Sequence, residues 1–103
     1  MTINLDKTQN KLWISAGLKL VSGQSAQQVK EELSILQQET VKEEGCISFE
    51  VLHNKENPNL FTLWEEWINE DALKAHFNQA HTKAYLALCL TEVSYIEKLV
   101  KLT

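Results

Sequence analysis

Two residues stand out as able to move a proton in a water-poor setting, Glu65 and His76. In the run 60–68, Glu65 shares its parity with Phe61, Leu63 and Trp67, so a strand that turns those side chains inward carries the carboxyl in with them. Burial penalises the ionised form and raises a carboxyl's pKa unless a cation or donor compensates. His76 lies beside Leu73 and Phe77 on the apolar stripe of the next segment and looks back at the same strand. An inward carboxyl and an inward imidazole can orient a hydroxylated ligand, with His76 as proton acceptor and Glu65 fixing its tautomer or charge. The same two groups fit equally well an internal hydrogen bond that does no chemistry, which predicts no cavity between them.

Around this pair, Trp67 and Phe77 offer flat apolar walls for a planar ligand, and His81 with Tyr85, four residues on, lines one side of the same space. His53, beside a turn, reads as a surface residue. No metal is expected: on one continuous helix His76 and His81 would stand roughly 140° apart, and no Cys or Asp ligand pattern supports them. Gly17, Gly23 and Gly45 form no phosphate-binding loop, no nucleophile motif is present, and the flavin and nicotinamide βαβ fingerprint is missing.

Positioning these residues requires a definite set of elements. Leu12, Ile14, Ala16, Leu18 and Leu20 alternate as a first strand. Ser25 suits a helix N-cap, and Ala26, Val29, Leu33, Leu36 and Thr40 recur at helical steps, predicting one long helix that ends near Glu44 with Gly45 as its stop. A second strand over 46–54 turns Ile47, Phe49 and Val51 to one side. The turn formers 54–59 join it to a third strand over 60–68 as an antiparallel hairpin. Asn69 or Glu70 opens a helix carrying Leu73, His76, Phe77 and Ala80, a further helical piece over about 82–90 stacks His81, Tyr85, Leu88 and Cys89, and 93–102 closes as a fourth strand. Strand, helix, strand, strand, helix, strand is the ferredoxin-like split βαβ order, an α+β fold with a four-stranded antiparallel sheet. In the third strand Leu60, Trp64 and Ile68 make the second parity apolar too, so the far sheet face is expected to pack on a second copy and form a homodimer.

With 103 residues, 44% of them apolar, the chain forms one domain over 11–103 after a polar lead-in, 1–10. A net charge of -4 with no basic cluster argues against nucleic acid. No apolar run approaches the ~20 residues that span a bilayer, and the start lacks the apolar core of a signal peptide, so no membrane association and a cytoplasmic location are expected. Cys46 and Cys89 read as free thiols.

The stretch 43–88 resembles the antibiotic-biosynthesis-monooxygenase family. The likeness is carried by Glu44-Gly45-Cys46 followed by Phe49-Glu50-Val51, by Leu63-Trp64-Glu65-Glu66-Trp67, and by Asp71-Ala72-Leu73-Lys74-Ala75-His76 with Ala80-His81-Thr82-Lys83-Ala84-Tyr85. Ala80-His81-Thr82 stands where Pro-His-aromatic is more usual. The resemblance implies a dimeric α+β barrel, two ferredoxin-like subunits packed sheet to sheet, each with a pocket between sheet and helices. It also implies a range of activities. Some relatives oxidise polycyclic aromatics or quinols with molecular oxygen and no metal or flavin, others process a phosphorylated autoinducer-2 signal, and others degrade haem. The haem-degrading branch places an Asn in the first strand and a ligating His in the last helix, where this chain has Ala16 and Tyr85-Leu86, although Trp67 matches that branch's tryptophan.

Three readings follow. The first is a cofactor-independent monooxygenase acting on a small hydroxylated aromatic or quinol with molecular oxygen. The second is an isomerase or degrading enzyme for a small phosphorylated signal, which needs cationic groups at the pocket. The third is a non-enzymatic small-ligand-binding dimer.

Overall fold

The computed structural model describes residues 10–103, so the lead-in 1–10 falls, apart from Asn10, outside the described residues. The elements run β1 (Leu12–Leu20), α1 (Ala26–Thr40), β2 (Cys46–His53), β3 (Leu60–Trp67), α2 (Glu70–Phe77), α3 (Ala80–Ala87) and β4 (Thr91–Leu99). All strand pairs are antiparallel, in the order β2-β3-β1-β4. β1 and β2 are thus joined through α1 with β3 inserted between them, and β3 and β4 through α2 and α3 with β1 between them. This is the ferredoxin-like α+β fold.

Register assigns each side chain to a face. Phe49, Glu65, Ile14 and Lys98 form one row across the sheet, and Val51, Leu63, Ala16 and Ile96 the next. These rows face the helices, where Val29, Leu33 and Leu36 of α1 complete a core with Phe49, Phe61 and Trp67. The alternate rows, Leu52-Thr62-Gly17-Tyr95 and Glu50-Trp64-Ser15-Glu97, make the outer face. There the Tyr95 ring lies over Gly17, whose missing Cβ would stand 2.3 Å from Tyr95 Cε2.

Local signals act as expected at several ends. Ser25 Oγ accepts from Gln28 N–H at 3.2 Å, Asn69 Oδ1 accepts from Ala72 N–H at 2.8 Å, and Asn54 Oδ1 accepts from the N–H groups of Glu56 and Asn57 in the hairpin loop.

Four boundaries differ from the sequence reading. α1 stops at Thr40, not near Glu44: the N–H groups of Lys42 and Glu43 turn to the carbonyls of Glu39 and Thr40, tightening the last turn and releasing Glu43 from the helix surface. Cys46 faces the core and Ile47 is exposed, because a bulge between Cys46 and Ser48 inserts Ile47 as an unpaired residue. The last helix is Ala80–Ala87, and it buries Thr82 and Tyr85 while Leu88 and Cys89 stay exposed. β4 begins at Thr91 and ends at Leu99.

Gly45 marks a close approach of backbones, since a Cβ there would lie 2.3 Å from Ala72 Cβ in α2. Gly45→Val should therefore push α2 outward and destabilise the fold by about 1–3 kcal/mol. Urea unfolding checks this, and an unchanged midpoint would remove the packing role assigned to Gly45.

Candidate functional site

α2 and α3 are separated by the two-residue break Asn78-Gln79, and this break decides the geometry of the site. Asn78 N–H bonds to Ala75 O and Gln79 N–H to His76 O, and the chain then restarts as α3. His76, in the last turn of α2, and His81, in the first turn of α3, converge as a result on one group. His76 Nδ1 and His81 Nε2 each lie 2.7 Å from the same carboxylate oxygen, Glu43 Oε2. The 140° separation expected on a continuous helix does not apply, because there are two helices. Thr82 Oγ1 adds a contact to His76 Nδ1 at 3.3 Å.

The expected Glu65–His76 pair is not the one formed. Glu65 accepts from Trp67 Nε1–H at 2.8 Å, and the carboxylate that meets His76 is Glu43. Position explains both. Glu65 and Trp67 are two apart on β3 and point to the same face, so the indole lies within reach. Glu43 reaches His76 only because α1 ends early. Both His76 and Glu65 are buried, each 5% exposed.

A cavity of about 240 Å³ separates the inner sheet face from the helices. Ile14, Ala16 and Leu63 floor it, and Leu73, Phe77 and Tyr85 wall it. Glu65, His76 and Thr82 are polar residues of its lining, and Glu70, Lys74 and Lys98 also line it. Lys98 is held by Glu70 at 2.7 Å in an exposed pair bridging β4 and α2. Of the pocket residues anticipated from sequence, Phe77 and Tyr85 line the cavity, and Tyr85 turns its hydroxyl to Thr91 Oγ1 at 2.7 Å. Trp67 and His81 do not line it. Trp67 is fully buried behind Glu65, its ring 4.9 Å from that of His76, and His81 sits with Glu43.

Glu43 and Thr82 are the residues that sequence reasoning missed. Reading α1 through Glu44 placed Glu43 on a helix surface, and Thr82 was taken for the start of a helix that begins two residues earlier.

Burial pushes the Glu65 carboxyl from its ordinary 4.5 up to about 7, with the Trp67 hydrogen bond opposing and the charge of Glu43 adding to the rise. Burial lowers the His76 pKa, against the pull of Glu43, so the imidazole favours its neutral form. A neutral His76 that donates Nδ1–H to Glu43 keeps its lone pair on Nε2. Among the described residues Nε2 has no protein partner, and neither does Glu65 Oε2. Neither atom is sealed off, since Thr40 Oγ1 is the one buried side-chain polar atom there without a partner. The cavity is therefore offered an acceptor by His76 and a carboxyl that can donate by Glu65. The Cys46 thiol is pushed up to about 11 by burial and then by the charges of Glu43 and Glu65, so it stays protonated and is a poor nucleophile.

The split βαβ sheet, with an apolar cavity under its helices and a carboxylate–imidazole pair beside it, is an α+β domain of the ferredoxin-like class. The chain belongs to the antibiotic biosynthesis monooxygenase family, whose family model matches residues 16–88. It is 38% identical over 86 residues to the uncharacterized protein YjcS of Bacillus subtilis (strain 168), covering 84% of this chain and 82% of that one. A solved structure of a protein YJCS, at 36% identity, superposes with a TM-score of 0.82 over 88% of this chain and 98% of that chain. SnoaB, a cofactor-independent oxygenase from Streptomyces nogalater, shares the fold with a TM-score of 0.75 over 91% and 95% of the two chains, at 9% identity.

The raised Glu65 pKa has a definite sign for stability. Between 4.5 and about 7 the folded chain holds a proton that the unfolded chain has lost, so stability falls as pH rises through that window and levels off above it. Glu65→Gln removes this cost. The variant should be more stable than the parent at pH 8 by about 2–3 kcal/mol and nearly equal to it at pH 4. Urea unfolding at the two pH values checks this, and a variant less stable at pH 8 would show that the ionised carboxylate is well solvated.

Proposed function

We propose that the protein is a cofactor-independent monooxygenase for a small hydroxylated aromatic or quinol, using molecular oxygen. The observation that carries this reading is the orientation of His76. Its Nδ1 is anchored to Glu43 at 2.7 Å, which leaves Nε2 as a proton acceptor at an apolar cavity. A phenolic hydroxyl placed there gives its proton to Nε2, and the Glu43 carboxylate stabilises the imidazolium that results. The phenolate, desolvated between Leu63, Phe77 and Tyr85, is electron-rich enough to reduce dioxygen. Its ortho carbon bonds one oxygen to give a hydroperoxide. The O–O bond then breaks as the proton on that carbon leaves, giving a carbonyl and water. One oxygen atom enters the product, the other becomes water, and the substrate supplies all four electrons. Glu65, protonated near neutral pH, hydrogen-bonds the oxygen that becomes negative. Trp67 holds Glu65, and His81 holds Glu43.

The reading includes a second copy of the chain on the outer sheet face, giving a dimeric α+β barrel. Leu52, Trp64, Tyr95 and Leu99 occupy that face at 49%, 37%, 42% and 38% exposure, an apolar patch that a second sheet would cover. No helix among the described residues is long and apolar enough to cross a membrane.

One observation favours the second reading, an enzyme for a small phosphorylated molecule: Lys74 and Lys98 both line the cavity. Lys98 is already paired with Glu70, and the walls below the lysines are apolar, so the aromatic substrate has the stronger support. Saturable binding of a phosphorylated sugar-like compound, weakened by Lys74→Ala, would reverse that preference.

Oxygen uptake with a panel of quinols tests the main reading. His76→Ala should lower the rate by about 100- to 10,000-fold, the usual worth of a positioned base, and Glu43→Gln should lower it by about tenfold or more through the imidazole's tautomer and charge. Uptake by the parent no greater than by His76→Ala would sink it. Trp64→Glu should convert the dimer to monomer by light scattering, and a parent that is already monomeric would remove the barrel.

A further inference from the structure

The Glu43 cluster has properties that proton transfer into the cavity does not use. Its three donor atoms, one carboxylate oxygen and two imidazole nitrogens, lie within 4.8 Å of one another. They come from three separately anchored elements, the turn after α1, the last turn of α2 and the first turn of α3. The Glu43 side chain is 7% exposed, yet its ion-pairing partners among the described residues are the two histidines alone, with no lysine in reach. Among the described residues its second oxygen, Oε1, has no hydrogen-bond partner and is not sealed off. A buried carboxylate without a cation leaves a negative charge in a low-dielectric setting, which is costly.

We infer that Glu43, His76 and His81 form a site for one divalent transition-metal ion of the zinc class. Two imidazoles and a carboxylate are a donor set that Zn²⁺ and Co²⁺ favour, with remaining positions left to water. The fit is close. Metal–donor distances of about 2.0–2.2 Å in a tetrahedral arrangement need donors about 3.3 Å apart, so each N···O contact, now 2.7 Å, must open by roughly half an ångström. Entry does not cross the apolar cavity. The His81 side chain is 18% exposed, and Glu43 lines a surface depression with Ala75 and Gln79 that shares no lining residue with the apolar cavity.

Coordination through His76 Nδ1 takes the lone pair there and leaves the ring proton on Nε2. The imidazole then presents a donor to the cavity where it had presented an acceptor, so a bound ion switches the base off. That consequence rests on the function proposed above; the binding itself does not.

Chelator-treated protein titrated with Co²⁺ gives the test, read by visible d–d absorption and by long-range ¹H–¹⁵N spectra of the histidine side chains. One equivalent of Co²⁺ per chain should produce the absorption band, and one equivalent of Zn²⁺ should remove it and move the His76 proton from Nδ1 to Nε2. His81→Ala and Glu43→Gln should each weaken Co²⁺ binding by more than about 100-fold, since even residues outside the coordination sphere typically cost about 10–100-fold. His53→Ala should leave binding unchanged. Far-UV circular dichroism establishes that each variant is folded, and Glu43→Gln keeps a side chain of the same shape should His81→Ala fail to fold. Absence of the band, or a band that survives both substitutions and is lost in His53→Ala, overturns the inference. A metal effect on oxygen uptake is scored separately, so a protein that binds Co²⁺ but oxidises no quinol keeps this site and loses the proposed activity.

Discussion

A single carboxylate oxygen, Glu43 Oε2, receives hydrogen bonds from two imidazoles at 2.7 Å each, and much of the functional architecture depends on that junction. It ties the turn after α1 to both α2 and α3, which are linked along the chain by Asn78-Gln79. Each bond is charge-assisted on the acceptor side, and the one to His76 is also largely buried, the condition in which a hydrogen bond contributes most and its loss costs most. Removing Glu43 would subtract two contacts and leave the buried His76 N–H with only the longer Thr82 Oγ1 contact. The same junction sets chemistry. By holding Nδ1–H it fixes which nitrogen of His76 carries the lone pair, so a structural tie and the choice of tautomer are one interaction.

Glu65 is held in the opposite sense. Its carboxyl sits in the row Phe49-Glu65-Ile14 with one indole N–H as partner, and burial, with the charge of Glu43 adding to it, raises its pKa toward neutrality. The fold tolerates this because Trp67, Phe49 and Phe61 are among its most deeply buried side chains, and their burial supplies far more free energy than one ionisable group removes. Such an arrangement does not serve stability. A buried acid and a buried imidazole that line one apolar cavity are the kind of perturbed groups on which the proposed proton transfer rests.

What was legible in the sequence follows from how far each signal reaches. Strand parity is a period-two pattern tied to burial, so the alternation of Leu12 to Leu20 and of Phe61 to Trp67 gave the inner face directly and placed Glu65 on it. Side-chain caps act over three residues, so Ser25 and Asn69 were readable. Interruptions that no local pattern marks were not readable. The sequence 37–45 supports helix beyond Thr40, and only tertiary placement of Glu43 ends it. The bulge at Ile47 shifts Cys46 into the core without a glycine or proline to announce it. The break at Asn78-Gln79 was foreseen as a separation of two helical pieces but not in its angle, and that angle brings the histidines together. The partner of His76 lies 33 residues away along the chain. Local periodicity therefore found the chemical groups but could not pair them.

The pairing also separates two surfaces that the sequence had merged. Apolar residues on both parities of β3 suggested one sheet buried twice, yet the two faces have different contents. The inner rows carry Glu65 and Lys98 among aliphatic side chains, while the outer rows carry Trp64, Tyr95 and Leu52 with Glu50 and Glu97, and Gly17 clears space for the Tyr95 ring. Substitutions on one face can therefore change without a direct contact on the other, which suits a family that keeps one scaffold under differing chemistry. Within the inner face the division continues. Glu65 and His76 are buried at the cavity, whereas Lys74 and Lys98 are exposed at its lining, with Lys98 held to Glu70 by one surface ion pair, a weak constraint. The groups that could move a proton are thus held by buried contacts, whereas the charged groups at the cavity's lining sit where substitution is easiest.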